Sequence, residues 1–254
     1  MTLLNVTGLD VEFETIKLHN PSILEISEKI EDENDFLFAL KFITSSLTET
    51  MNFLENKELT NFDIFLGILL SQNDESLRIQ MIQQGFTYEK MRAIMNLLQI
   101  LFLDYNIALS QSEIILNKDD NFVILNSENF DELQTKIKFM FKTSFLFNDS
   151  GDADSQYNPA TEEAKKILDK LNKSKRKIAE LNKKEYHTAL IENYIIILSI
   201  GLKMTPKELN NLSLYQIVTL YERFKMKVSW DLDIKCRLAG GSPEEHPENW
   251  MSIL

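Results

Sequence analysis

A chain of 254 residues with 44% apolar and 26% charged residues has the composition of a globular protein, long enough for one large domain or two small ones and a sizeable core. Its 7 Gly and 5 Pro are too few for a turn-rich β-sandwich or barrel, and the single cysteine, Cys236, excludes an internal disulfide. The net charge of −12 divides into −15 over residues 1–160 and +3 over residues 161–254, and so acidic a front half argues against general nucleic-acid binding, which needs clustered positive charge.

Residues 10–19 are expected to form a hairpin, because Val11 and Phe13 alternate with acidic residues, and Ile16 and Leu18 with Lys17 and His19. Asn20-Pro21-Ser22 starts a helix to about Ile30, and Asp35 is expected to cap a longer one whose apolar face runs from Phe36 to Leu54. Residues 61–71 are apolar nearly all round and predict a buried central helix. Thr87 opens a helix from Tyr88 to Leu103. Three short β-like runs, Ile107–Leu109, Ile114–Leu116 and Phe122–Leu125, predict a small sheet, expected to pair with the N-terminal hairpin. Ser127 is read as the start of a helix through Phe141.

The polar stretch Asn148–Asn158 is expected to be a mobile acidic linker. Residues 159–184 read as a charged helix with a thin apolar stripe (Ala164, Ile167, Leu168, Leu171, Ile178, Leu181). Residues 186–202 return to core, with Ile195-Ile196-Ile197-Leu198 at the centre. Thr205-Pro206-Lys207-Glu208 combines a cap, a first-turn proline and a capping box, and Ser213 opens the next helix in the same way. A second helix is expected after it, with Trp230, Ile234 and Leu238 on one core stripe, Cys236 half-buried, and a stop at Gly240-Gly241. The fold class is therefore mainly α (α+β, with a small β element): a multi-helix N-terminal domain over 1–147, the linker over 148–158, and a helical C-terminal module over 159–254.

Sites of known chemistry weigh poorly. Asp152, Asp154, Gln156 and Glu163 fall at EF-hand ligand positions, but Tyr157 stands where the loop needs Gly, and Pro159 disturbs the return. His19, His187 and His246 are scattered, and only Cys236 could join them around zinc. Gly240-Gly241 lacks the lysine and the strand-to-helix setting of a phosphate loop, and no G-x-S-x-G nucleophile motif occurs. The basic run Lys165 to Lys177 is a solvated helix face or a contact for an acidic partner helix; without interleaved aromatics it does not suit RNA. No catalytic, cofactor or metal site is expected. No signal peptide is read, because the start Met1-Thr2-Leu3-Leu4-Asn5 lacks a basic region and a long apolar run, and no membrane span is read, because Ile191–Leu202 is too short and contains Glu192.

Leu212-Ser213-Leu214-Tyr215-Gln216, Glu222-Arg223-Phe224, Trp230-Asp231-Leu232-Asp233-Ile234-Lys235, Arg237-Leu238-Ala239-Gly240 and the closing Asn249-Trp250-Met251 together resemble the C-terminal part of a protein family found among the tail genes of phages and prophages of Gram-positive bacteria. Tyr157-Asn158-Pro159-Ala160 and the lysine-rich helix after it resemble that family's middle. The chain departs from the family at Met251-Ser252-Ile253-Leu254, where relatives more often carry a charged tail. The resemblance implies a non-enzymatic tail assembly chaperone in the host cytoplasm, with the tape measure protein as partner and the tail tube protein and a second copy of the chain as further candidates. It brings no catalytic residues, and with the charge and the apolar runs as they are, no nucleic acid, membrane or cofactor is expected. The rival expectation is a structural virion component such as a neck, tail or baseplate adaptor. The residues singled out for partner binding are Lys170, Lys173, Arg176, Tyr215, Trp230 and Trp250.

Overall fold

A computed structural model of the chain describes residues 8–46, 60–83, 86–119, 121–147 and 190–239. The expected linker, the charged helix over 159–184 and the extension of the second expected helix beyond residue 46 lie outside them. So do Lys170, Lys173, Arg176 and Trp250.

The described chain is mostly helical with two small antiparallel sheets. The first is the hairpin of β1 (Val11–Phe13) and β2 (Ile16–Leu18), in register Val11↔Leu18 and Phe13↔Ile16. Its period-2 alternation buries those four apolar residues and turns Glu12 and Lys17 outward. The second is a meander of β3 (Asn106–Leu109), β4 (Ile114–Lys118) and β5 (Asn121–Leu125). Leu116 faces Val123, Ile114 faces Leu125, and all four are buried. The two sheets are separate, contrary to the expected pairing, because the hairpin backs onto the helix that follows the meander instead.

Between and around them run α1 (Ile23–Lys29), α2 (Glu33–Thr44), α3 (Asn61–Ser71), α4 (Glu75–Gln83), α5 (Tyr88–Leu101), α6 (Phe130–Phe141) and α7 (Thr143–Phe147). Ser22 and Thr60 each build a full capping box, with Glu25 and Asp63 respectively. The cap of α2 is Asp32, whose side chain accepts from the Asn34 amide at 2.7 Å; the expected cap, Asp35, lies inside the first turn. Likewise α6 starts three residues after Ser127. Asn126 and Asn129 first tie a local turn, the Asn126 amide donating to Asn129 Oδ1 and the Glu128 amide to Asn126 Oδ1. The central α3 is buried as its composition implied, and phenylalanines knit it to its neighbours: Phe65 lies 4.9 Å from Phe130, and Phe62 5.5 Å.

The C-terminal elements are α8 (Leu190–Leu202), α9 (Pro206–Asn210) and α10 (Leu214–Leu238). Their inward residues Leu198, Leu209, Leu214 and Ile217 share one apolar cluster with Phe36, Phe130 and Phe141. Backbone joins the same regions: the Ile23 amide donates to the Leu212 carbonyl at 3.0 Å. The expected pair of helices after Ser213 is a single 25-residue helix, capped at Ser213 by a box with Gln216. No Gly or Pro interrupts it before Ala239.

Candidate protein-binding surface

Helix α10 is seated at its start, where Leu214, Tyr215, Ile217 and Val218 in the first turn and a half are buried. Tyr215 is 5% exposed, too little to act as a surface anchor. Its ring lies 6.3 Å from that of Phe139, and the Lys142 ammonium sits over it at 5.6 Å. Lys142, in the left-handed conformation at φ 53° beyond the end of α6, also pairs with Glu222 of α10. Tyr215, Phe139, Lys142 and Glu222 thus form the joint between α6 and α10.

The next contacts are with α8. Tyr194 stacks on Tyr221 with ring centroids 4.1 Å apart, and Phe145 lies at 6.2 and 6.4 Å from the two. Burial pushes the Tyr194 hydroxyl up to about 12, with Tyr221, Glu33 and Glu222 adding to the effect, so it remains a neutral phenol. One turn further on, Gly201 of α8 meets the Phe224 ring so closely that a Cβ there would stand 2.2 Å from Cζ.

Beyond Phe224 the helix leaves the core. No residue from Lys225 to Ala239 is buried. Trp230 is half-buried, Ile234 is 39% exposed and Leu238 83%, so the expected core stripe emerges progressively into solvent. The reason is continuity: a separate helix could fold back on the core, but these residues continue the same unbroken helix whose buried positions lie in its first turns. Cys236 is exposed for the same reason, not half-buried. Val228 and Leu232, a turn apart, add a further apolar strip at 39% and 61% exposure.

Helix α8 shows the same inversion sideways. Its inner face buries Ile191, Tyr194 and Leu198, while Ile196, Ile197 and Ile200 are 47%, 38% and 77% exposed. At 3.6 residues per turn these three isoleucines occupy an arc of about 100° on the outer side. Three outward isoleucines on one short helix, beside a helix with further exposed apolar positions, make an apolar surface rather than singly scattered residues. Of the two singled-out residues that are described, Trp230 lies near this surface and Tyr215 does not. The outer isoleucines were read as core, since four consecutive aliphatics carry no helical phase; the phase comes from the Tyr194–Tyr221 and Gly201–Phe224 contacts.

A polar cluster elsewhere also joins residues that the sequence keeps apart. His19 Nδ1 is 3.2 Å from Asp10 Oδ1 and Nε2 is 3.1 Å from Glu25 Oε1, while the Ser22 hydroxyl donates to Glu25 Oε2 at 2.9 Å. It has no nucleophile arrangement, because Glu25 stands between the serine and the imidazole, and Ser22 is occupied as the cap of α1. Burial alone would raise the Glu25 carboxyl, but the Ser22 amide and hydroxyl, with His19, outweigh it and hold the group below the ordinary range. Among the described residues no group of His, Cys, Asp and Glu could hold a metal ion, and no helix is long and apolar enough to cross a membrane. No family model matches the chain, and no curated protein or solved structure is similar enough to it to count as a match.

Proposed function

We propose that this chain is a non-enzymatic phage tail assembly protein, a chaperone that holds the tape measure protein in the host cytoplasm before the tail tube polymerises around it. The motif set from Leu212 to Trp250 suggests the family. The observation that carries the binding role is the exposed apolar surface of the C-terminal helices, Ile196, Ile197 and Ile200 on α8 with Val228, Leu232 and Leu238 on α10. A tape measure chain is long and amphipathic, and its apolar stripes need cover until the tube encloses them. Helix-against-helix contact with i, i+4 anchors is the mode this surface suits.

Pull-down from infected cells, followed by composition of purified particles, tests the reading. The wild-type chain is expected to bring down the tape measure protein and to be missing from finished virions. Ile200→Asp and Leu238→Asp, both at exposed positions, are expected to lose that capture while melting as the wild type does. Capture unaffected by both substitutions would remove this surface from the reading, and presence in finished particles would instead make the chain a structural component.

A further inference from the structure

A second surface is built quite differently. A cleft of about 510 Å³ opens between the end of α2, the outer side of α6 and α7. Lys41 and Lys138 stand on it from α2 and α6, Phe139 and Phe147 give it apolar walls, and Ser45 and Ser144 add hydroxyls. Among the described residues no Asp or Glu lines it, in a chain of net charge −12. Neither lysine has an acid three or four positions away on its own helix, whereas the neighbouring Lys136 is paired with Glu132. Among the described residues neither makes an ion pair with any other element.

The two helix ends beside the cleft are also tied to each other. Gln134 of α6 is buried and donates through Nε2 to the carbonyls of Ile43 at 2.7 Å and Ser45 at 3.1 Å. Those are carbonyls at the end of α2, which a helix leaves without internal partners. The bond pair fixes the lysine-bearing ends of the two helices relative to each other, so the charges need no rearrangement to meet a ligand.

We propose that this cleft docks an acidic amphipathic helical segment of a partner protein, its carboxylates meeting Lys41 and Lys138 and an apolar side chain entering between Phe139 and Phe147. The assignment rests on the client-binding reading above and adds a second, charge-selective contact to it. Charge complementarity is what chooses this occupant: a purely apolar helix would leave two cations unanswered. Both lysines also lie in the last turns of their helices, where positive charge complements the dipole, and the test separates that role from docking.

The probe is a fluorescein-labelled helical peptide with Glu and Leu one turn apart, and its control carries Gln for every Glu. Binding is read by anisotropy to the full chain at low and high salt. The Glu peptide is expected to bind, to weaken as salt rises, and to lose about tenfold in affinity in Lys41→Glu/Lys138→Glu, an effect in the range of two exposed ion pairs. The Gln peptide is expected to bind no better than that variant does. Ile200→Asp is expected to leave this affinity unchanged, which keeps failure of the apolar surface distinguishable from failure of the cleft. Equal affinity of the double variant, or a lowered melting temperature without loss of affinity, would return the lysines to helix-end duty and overturn the proposal. Lysine-dependent binding of inorganic phosphate with no binding of the peptide would overturn it in favour of a small anion.

Discussion

The carboxylate of Glu33, in the first turn of α2, accepts the Ile191 amide of α8 at 2.7 Å, and its other oxygen takes the Glu192 amide at 3.2 Å. A residue 158 positions away in sequence therefore does for α8 what a cap normally does from next door. Burial pushes the Glu33 carboxyl above the ordinary glutamate range, even though the Ile191 and Glu192 amides pull it down and Glu192's charge adds a little to the rise. A carboxyl raised on folding contributes stability that is complete below its unfolded value and is lost as pH rises through its folded value. Chemical denaturation of the wild type and Glu33→Gln across that window is expected to show the wild-type advantage shrinking as pH rises. An advantage that grows would mean that the amide bonds dominate over burial. Glu33→Ala, which removes the cap altogether, is expected to cost about 1 kcal/mol.

Gly201 and Phe224 make a second test. Gly201→Ala gains about 1 kcal/mol in helix propensity but drives a methyl into the ring, and overpacking costs about 1–3 kcal/mol. The net effect in a thermal melt is expected to be destabilising. Combining it with Phe224→Leu is expected to recover more than the two single changes predict by addition, because the clash disappears with the ring.

One helix supplies its own control for the division of α10. Ile217 is fully buried, and Ile217→Ala is expected to cost about 2–5 kcal/mol. Leu238 is 83% exposed, and Leu238→Ala is expected to fall within about 0.5 kcal/mol of the wild type. A large loss at Leu238 in a dilute melt would show that its side chain is covered in solution.

Gln134→Leu keeps the volume in the α6 core but leaves the Ile43 and Ser45 carbonyls without their donor. Buried groups stripped of a partner cost about 1–3 kcal/mol, and urea denaturation is expected to show a loss in that range.

What sequence reveals here is what local chemistry decides. The caps Ser22, Thr87, Thr205 and Ser213 were legible because a hydroxyl and an amide three residues on settle a helix start without outside help. The hairpin was legible because its alternation is strict. By contrast α4 was missed, since Met81 falls on the opposite side from Ile79 and Ile82 and the helix gathers no apolar face for the core. So was α7: Lys142 adopts the left-handed turn that separates it from α6, and a lysine carries no such signal. Asp231 and Asp233 ahead of Lys235 and Arg237 suit a separate helix with its own dipole, yet no Gly or Pro before them ends the helix that Ser213 opens. The outer isoleucines of α8 and the cleft beside Gln134 depend on which helix packs where, which no short window contains.

The unbroken course of α10 turns the outer apolar residues into a matter of phase. From Lys225 to Leu238 the helix reaches about 20 Å, with its root clamped by the Lys142–Glu222 pair and the Phe224 ring. A single residue inserted after Lys225 would leave the root untouched and rotate everything beyond it by about 100°, pointing Leu232 and Leu238 in a new direction. Insertion of a whole turn would keep their bearing within about 40° and move them roughly 6 Å outward. The helix therefore acts as a ruler and a compass at once, and its length and its register are separate quantities that a bound partner would read.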